Sequence, residues 1–277
     1  MQAIYNFLDT VLPFDWLSFA FMKHAFLAVL LITPLFGLLG TLVVNNRMAF
    51  FADTLGHSAL TGIALGAVLG VADARISMVI LGVVFSVLLV FIKSRNRAST
   101  DTTISTLSSV AAALGIVLLA QGGGFAKYSS FLIGDFLSIT AGDLALACAV
   151  FAAVLLFWCF FFNKTYLVSL NPTLAHSLGV RTRAIEVLFT SLVAVVVMIS
   201  ISWVGILIIT SLLVLPAATA RNLCRSIRAY TICSTLLSLL CGIIGLIASY
   251  YLDSATGATI VLVLSACYFA SLALPAK

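Results

Sequence analysis

Long apolar runs separated by short polar stretches make up most of this chain. A helix needs roughly 20 mostly apolar residues to cross a bilayer. Runs of that length predict spanning helices at 24–44, 48–70, 76–93, 102–120, 141–162, 185–202, 204–220, 229–251 and 254–274. The sixth and seventh runs meet at Trp203 almost without a break, so the pattern predicts an all-α, polytopic membrane protein with eight or nine transmembrane helices.

The first 23 residues carry a different pattern. The apolar side chains that recur there at helical spacing are Ile4, Phe7, Leu8, Val11 and Leu12. Such a short amphipathic helix is typical of a segment that lies in the membrane interface. The stretch lacks a basic start and carries Asp9 and Asp15, which is unlike a signal peptide. We expect an interfacial segment at 1–23 and a single transmembrane domain at 24–277.

The composition supports a membrane protein and changes little else. Of the 277 residues, 63% are hydrophobic and only 8% are charged, and the mean hydropathy is +1.24. A soluble domain carries roughly 25% charged residues, so this chain needs membrane lipid around its apolar surface. The net charge of +5 does not indicate nucleic acid as a partner, because basic residues of membrane proteins gather in cytoplasmic loops.

The basic residues also predict the orientation of the chain. With the N-terminus outside and the C-terminus inside, eleven Lys and Arg residues fall on the inner side. Only Lys23, Arg75 and Lys127 then fall on the outer side. Because cytoplasmic loops carry the excess of basic residues, this distribution predicts an N-out, C-in topology.

Two ionisable residues interrupt the second apolar run. Asp53 and His57 are four residues apart, so both project from one face of a helix. Burying such groups at membrane depth costs at least ~2.5 kcal/mol, and they usually face a polar path or a bound ion. A carboxylate and an imidazole suit divalent transition metals, zinc in particular. The pair predicts metal or proton handling; the alternative is that Asp53 only hydrogen-bonds His57 or the backbone and holds two helices together.

The number of ligands on this face is too small for a complete metal site. One acid and one imidazole cannot make a four-coordinate centre. Two copies related by a two-fold axis would supply two of each, which argues for a homodimer or for ligands from elsewhere. His24, at the outer mouth of the first run, and His176, in a polar cytoplasmic stretch, are weaker candidates.

A glycine series marks the opposite side of the same helix. Gly62, Gly66 and Gly70 lie about 180–260° from Asp53 around a helix of 3.6 residues per turn, whereas His57 lies about 40° from it. Small residues at four-residue spacing allow neighbouring helices to approach closely. We expect the glycine face to pack against another helix and the acid–imidazole face to point elsewhere.

The longest inner loop, at 163–183, contains the signals of a short helix. Asn171 provides an N-cap, Pro172 favours the first helical position, and Gly179 provides a stop after Leu178. A capped helix in a cytoplasmic loop is either a docking site for a soluble partner or an ordered loop without one.

The sequence contains neither a P-loop for ATP binding nor a C-x-x-C motif for zinc binding or redox activity. The P-loop pattern G-x-x-x-x-G-K-[ST] is absent, since no glycine precedes any lysine. We therefore expect no enzymatic activity, and energy from ATP would have to come from another polypeptide. The six cysteines form no C-x-x-C pair, so neither a zinc knuckle nor a redox motif is indicated.

Two long motifs resemble those of the permease subunits of bacterial zinc and manganese ABC importers. The first, residues 47–60, reads RMAFFADTLGHSAL, and the second, residues 204–221, reads VGILIITSLLVLPAATAR. Between them, in order, come matches at residues 100–102 (TDT), 132–137 (LIGDFL) and 171–179. The likeness covers nearly the whole chain after about the first twenty residues, and the second motif is nearer the zinc branch.

The resemblance implies partners and residue roles. Family members are homodimers in the bacterial cell membrane, each copy bound to a cytoplasmic ATP-binding cassette ATPase, and receive metal from an extracytoplasmic metal-binding protein. The metal-path residues of the family carry over to Asp53 and His57. Its ATPase-coupling segment carries over to Asn171, Pro172, Leu174, Ala175, Leu178 and Gly179. The family commonly has an acidic residue near the start of that segment, where this chain has Asn171.

The function expected from this resemblance is that of a membrane-spanning permease subunit of an ATP-driven divalent metal importer. Zinc is the first candidate ion and manganese the next, moved to the cytoplasm by alternating access. No permanently bound cofactor is expected beyond the transported zinc or manganese ion. The alternatives are an ion- or proton-coupled secondary metal transporter, with Asp53 and His57 as a proton relay, and a metal channel without energy coupling.

Overall fold

The computed structural model describes residues 15–71, 73–95, 99–121 and 130–273, and within these ranges the regular structure is helical without a strand. The main helices are α1 (Ala20–Asn45), α2 (Phe51–Val68), α3 (Ala74–Arg95), α4 (Thr100–Gln121), α5 (Ala141–Leu170), α6 (Pro172–Ser177), α7 (Thr182–Val204), α8 (Ile206–Leu223), α9 (Ile227–Tyr251) and α10 (Thr256–Ala273). Shorter turns lie at Asp15–Ser18, Ser130–Ile133 and Phe136–Ser138. The predicted all-α class is confirmed.

Most of these helices are long and apolar enough to cross a membrane. In the described part of the chain eight meet that criterion, namely α1, α3, α4, α5, α7, α8, α9 and α10. Helix α2 has 18 residues as well, but Asp53, His57 and several glycine and hydroxyl residues lower its hydropathy. The protein is therefore a multi-pass membrane protein, with α2 just outside the hydropathy criterion that those eight helices meet.

The junction near Trp203 is a break between two helices. Gly205 has φ 92° and ψ 148°, a conformation that residues with a Cβ rarely adopt. Its amide donates to the Ile201 carbonyl and its own carbonyl accepts from the Ile209 amide, so both helix ends are satisfied at this one residue. The sixth and seventh apolar runs are thus two separate helices, α7 and α8.

Two predicted boundaries differ from the structure. The first span begins at Ala20 rather than 24, and residues 1–14 of the predicted interfacial segment lie outside the described residues. The predicted inner loop at 163–183 is helical up to Leu170. Helix α5 continues because Thr165 and Val168, at 3% and 8% exposure, are buried side chains rather than loop residues.

The described chain forms two compact units, each assembled from distant segments. The first comprises Met1–Thr41, Ile133–Val154 and Ser211–Lys277, and the second comprises Leu42–Leu132 and Leu155–Thr210. In the first unit, hydroxyl groups of α9 donate to backbone carbonyls of α1. Ser238 bonds Thr33 at 2.6 Å and Ser234 bonds Gly37 at 2.7 Å. The residue numbers run in opposite directions, so these two helices are antiparallel.

The second unit surrounds α2 with three other helices, α3, α4 and α7. Thr54 and Thr61 of α2 donate their hydroxyls to the carbonyls of Ile104 and Ala111 in α4, at 3.2 and 2.6 Å. Both pairs are 50 residues apart, so α2 and α4 are parallel, as alternate membrane spans must be. Hydroxyl–carbonyl bonds of this kind hold helices together in the absence of water.

Helices α3 and α7 lie antiparallel in the same unit. The guanidinium of Arg75 lies 6.0 Å from the ring of Trp203 at one end. The hydroxyls of Ser86 and Ser191 are 3.0 Å apart in the middle, and Lys93 pairs with Glu186 at the other end. The pairing is consistent with the predicted topology, which assigns Arg75 to the outer side and Lys93 to the inner side.

Candidate metal path and docking helix

The start of α2 is fixed by a tight turn before it. Arg47 has φ 55°, and the amide of Met48 bonds the carbonyl of Val43 at 3.0 Å, so the turn closes the end of α1. Met48 and Phe51, which follow Arg47, are both 1% exposed and anchor the turn. Asp53 consequently falls in the first turn of α2, where the positive end of the helix dipole stabilises a carboxylate.

Helix α2 is open to its surroundings along one stripe. Between Phe51 and Gly66, the residues that keep accessible surface are Asp53, His57, Leu60 and Leu65. The first three fall within about 60° of one another at 100° per residue. The side chains of Asp53 and His57 are 49% and 40% exposed, in a helix in which twelve of the 18 residues are buried. The stripe therefore presents an acid and an imidazole to whatever lies beside this face.

The two side chains are close without being hydrogen-bonded to each other. His57 Nε2 lies 3.7 Å from Asp53 Oδ2, which is beyond hydrogen-bond range. Metal–ligand distances of about 2.0–2.1 Å put the donors of a tetrahedral centre roughly 3.3–3.4 Å apart, so small rotations would let both atoms bind one ion. Among the residues that the structure describes, no group of three or more His, Cys, Asp or Glu could hold a metal. One chain supplies two ligands here.

The glycine face of α2 packs against α3 at two of its three predicted positions. A Cβ on Gly62 would lie 2.9 Å from Met78 Cα, and one on Gly66 would lie 2.5 Å from Ser77 Oγ. Such distances leave no room for a side chain. The packing expected of Gly70 is a wrong prediction, because that residue lies beyond the helix end with φ +70° and no described atom within 4 Å of a Cβ. It serves the turn after α2 rather than a helix contact.

The sequence reasoning missed a third close contact of α2. A Cβ on Gly56 would lie 2.9 Å from Ile206 Cγ2. Ile206, the first residue of α8, therefore packs directly against α2 at Gly56, the residue before His57. Thr54 and Thr61, which bond α4, were missed as well. Their seven-residue spacing on a face away from Asp53 was the available signal.

The two weaker histidine candidates lie on α1 and α6. His24 Nδ1 is 2.9 Å from the carbonyl oxygen of Ile139, within the first unit. His176 is exposed on the short helix α6.

The predicted docking helix forms as α6, which begins at Pro172 as expected and ends at Ser177, one residue before the expected end at Leu178. Asn171 Oδ1 accepts from the amide of Leu174 at 3.0 Å, and Pro172 occupies the first helical position. Gly179 has φ +77°, and the amide of Val180 donates to the carbonyl of Ala175 at 3.0 Å. Both caps thus work as the residue types predicted.

The side chains of α6 divide into an anchoring set and an exposed set. Ala175 is 0% exposed and packs with Val168 of α5 and Ile185 of α7. Because it is buried, Ala175 anchors the segment to α5 and α7. Leu174 and Leu178 are 47% and 65% exposed, and they form an apolar patch at the surface of the polar stretch.

A basic groove lies beside this patch. It has a volume of about 430 Å³ and is lined by His176, Arg181, Thr182 and Arg183. Exposed leucines next to arginines make a surface that combines apolar contact with attraction for acidic groups.

A multi-pass helical protein with an acid–imidazole pair on a largely buried helix and a capped helix in a polar stretch has features expected of a membrane transport subunit. The comparison with known proteins identifies the particular kind. Residues 18–275 match the ABC 3 transport family, and the chain belongs to that family.

Relatives and a solved structure match over most of the chain. The manganese import system permease protein ScaB of Streptococcus parasanguinis is 31% identical, over 91% of this chain and 89% of that protein. The high-affinity zinc uptake system membrane protein ZnuB of Haemophilus influenzae is 33% identical, over 81% and 86%. The structure of PsaBC from Streptococcus pneumoniae in complex with Fab has a TM-score of 0.81 and 25% identity, over 99% and 97% of the two chains.

Proposed function

We propose that this chain is the membrane-spanning permease subunit of an ATP-driven importer of a divalent metal ion, with zinc as the first candidate and manganese as the next. The observation that carries the proposal is the stripe of Asp53 and His57 on α2, in a chain of the ABC 3 transport family. The ion would move from an extracytoplasmic binding protein to the cytoplasm by alternating access.

The geometry of the pair suits a passing ion better than a stored one. Two ligands from one chain leave a zinc or manganese ion incompletely coordinated. A second copy related by a two-fold axis would bring two more, and both stripes would then face a shared path. Half-exposed side chains can release an ion, whereas a closed tetrahedral site would retain it.

The choice between zinc and manganese rests on ligand chemistry. Divalent zinc binds a given nitrogen and oxygen set more tightly than divalent manganese, and an imidazole is half of this set. The relatives do not separate the two ions, because one carries a manganese name and another a zinc name.

The energy source would be a separate ATPase subunit docked on α6. The chain has no P-loop, while Leu174 and Leu178 offer an exposed apolar patch on a capped helix. An amphipathic helix seated in a cleft is a common mode of recognition. The neighbouring arginines favour an acidic cleft.

The test is metal uptake into vesicles that contain this chain with its ATPase and with the binding protein outside. We expect uptake of radioactive zinc that requires ATP hydrolysis, with manganese a weaker competitor. Uptake that continues without the ATPase and follows an imposed proton gradient would instead support a secondary transporter with a proton relay. Preferential uptake of manganese would support the proposed importer and identify manganese, rather than zinc, as its ion.

A further inference from the structure

An ion pair joins α3 and α7 at the end where α6 is attached. Lys93 Nζ and Glu186 Oε1 are 2.5 Å apart, and the two side chains are 30% and 21% exposed. Glu186 is the single glutamate of the chain and lies at the edge of a long apolar run. A carboxylate in such a place is costly unless it is paired, so its position calls for a reason.

The docking helix α6 packs against the start of α7. Ala175 of α6, Val168 of α5 and Ile185 of α7 form a small buried cluster, and Val180 packs against it. The amide of Val180 also bonds the carbonyl of Ala175 at 3.0 Å. Ile185 of this cluster is the residue before Glu186, so a displacement of α6 reaches the ion pair within one residue of α7.

Helix α3, which carries Lys93, also packs tightly against α2. The close contacts of Gly62 with Met78 and of Gly66 with Ser77 leave no space between these helices. Packed interiors transmit displacement because they cannot be compressed. Helix α2 carries Asp53 and His57, so α3 connects the ion pair to the metal stripe.

We infer that the Lys93–Glu186 ion pair is a positioning contact, which makes α3 follow α7 when the docked ATPase displaces α6, and so links ATP hydrolysis to the Asp53–His57 stripe. The inference rests on the proposed function and adds a residue pair to it. All the contacts named belong to the second unit. Neither residue belongs to the Asp53–His57 stripe.

Two other contacts between α3 and α7 cannot replace this one in the same way. The hydroxyl pair of Ser86 and Ser191 is neutral, and the contact of Gly82 with Met198 involves a flexible side chain whose Cε would lie 2.7 Å from a Cβ. Methionine adapts to a shifted neighbour. The ion pair resists separation because each charge would be left unpaired at the edge of the bilayer.

The experiment measures metal taken up per ATP hydrolysed by the complete transporter in vesicles. The variants are Glu186→Gln, Lys93→Met and the exchange of both residues, Lys93→Glu with Glu186→Lys. We expect each single variant to retain its ATPase subunit and its hydrolysis, while metal uptake per ATP falls about fivefold or more, within the range of coupling between linked sites. The exchange variant should recover most of the lost ratio, since it restores an ion pair.

Arg95→Gln is the matched control, because Arg95 lies in the same last turn of α3 and contacts the Phe91 ring of its own helix. It should leave the ratio unchanged. A merely structural role would lower uptake and hydrolysis together, at a reduced melting temperature, and would overturn the inference. An unchanged ratio in the single variants, or an exchange variant that folds without recovery, would overturn it as well.

Failure of the proposed function has a different signature. A wild-type complex that takes up no metal with ATP would contradict the proposed function and the inference together. Wild-type uptake with an unchanged ratio in the variants would contradict the inference alone. If Glu186→Gln does not accumulate, Lys93→Met decides, because it breaks the same ion pair and leaves Glu186 in place.

Discussion

The carboxylate of Asp53 and the imidazole of His57 point from the same side of α2, and each offers an atom that binds a divalent cation. Their 3.7 Å separation argues against a direct hydrogen bond as the reason for their presence. Both are about half exposed on a helix in which twelve of the 18 residues are buried. At the scale of single residues, this contrast is the strongest indication of a metal path.

Removing either ligand should stop transport without unfolding the protein. Asp53→Asn keeps the shape and removes the charge, and His57→Ala removes the nitrogen. Since neither side chain is buried, we expect normal membrane insertion and loss of zinc uptake by on the order of tenfold or more, as disturbed metal sites show. Leu60→Ala, on the same stripe without a donor atom, is the control. Normal uptake by the Asp53→Asn, His57→Ala double variant would place the ion path elsewhere.

At the scale of helices, the α2–α3 contact depends on two glycines. Gly62 faces backbone atoms of Met78, which cannot move aside, whereas Gly66 faces the side chain of Ser77. Leucine at either position should therefore lower the amount of folded protein, and Gly62→Leu more strongly. Overpacking of this kind typically costs about 1–3 kcal/mol.

Gly70→Asn is the matched control for this prediction. Gly70 has open space around it and a left-handed backbone that asparagine tolerates, so this variant should accumulate normally. The measurement is detergent-resistant folded protein by size-exclusion chromatography with thermal melting. A stable, abundant Gly62→Leu variant would show that the contact is looser than the structure has it.

The docking helix gives a second prediction at this scale. Aspartate at both Leu174 and Leu178 places unpaired charges in the proposed contact, at a cost of several kcal/mol. The permease should insert normally and lose its ATPase subunit on purification. Leu69→Asp with Leu252→Asp is the control, since these leucines are 75% and 69% exposed and are predicted on the other side of the membrane. Full retention of the ATPase by the Leu174, Leu178 variant would direct attention to the loop around Arg221–Arg228.

Sequence signals within a few residues predicted where these helices form, but they did not predict contacts between residues far apart in the chain. The caps of α6 follow from Asn171, Pro172 and Gly179, because a cap depends on neighbours within three or four residues. The prediction for Gly70 was wrong because a four-residue spacing does not reveal where a helix ends. The continuation of α5 to Leu170 was missed because it depends on burial of Val168 against Ala175 and Ile185, which only the fold brings together.

At the scale of the whole molecule, sequence predicted the class but not the assembly of the two units. The bilayer sets the length of each apolar run and the side on which basic residues gather, so both patterns can be read from a short stretch of sequence. The pairing of Lys93 with Glu186, 93 residues apart, depends on which helices are neighbours. That arrangement is decided by packing at contacts such as Gly62 and Gly66, and a single sequence does not encode it in a readable pattern.

The ligand count predicts how two copies share one path. If each copy contributes Asp53 and His57 to a common site, a dimer with one Asp53→Asn subunit should be as inactive as one with two. Equal expression of wild-type and variant chains gives about one quarter wild-type pairs by random association. We therefore expect ATP-driven zinc uptake to fall to about a quarter of the wild-type value at equal total protein, because only those pairs keep four ligands. Differently tagged subunits, purified over both tags, would confirm that mixed pairs form. Uptake of about half would mean that each copy conducts metal independently, and the shared path would have to be abandoned.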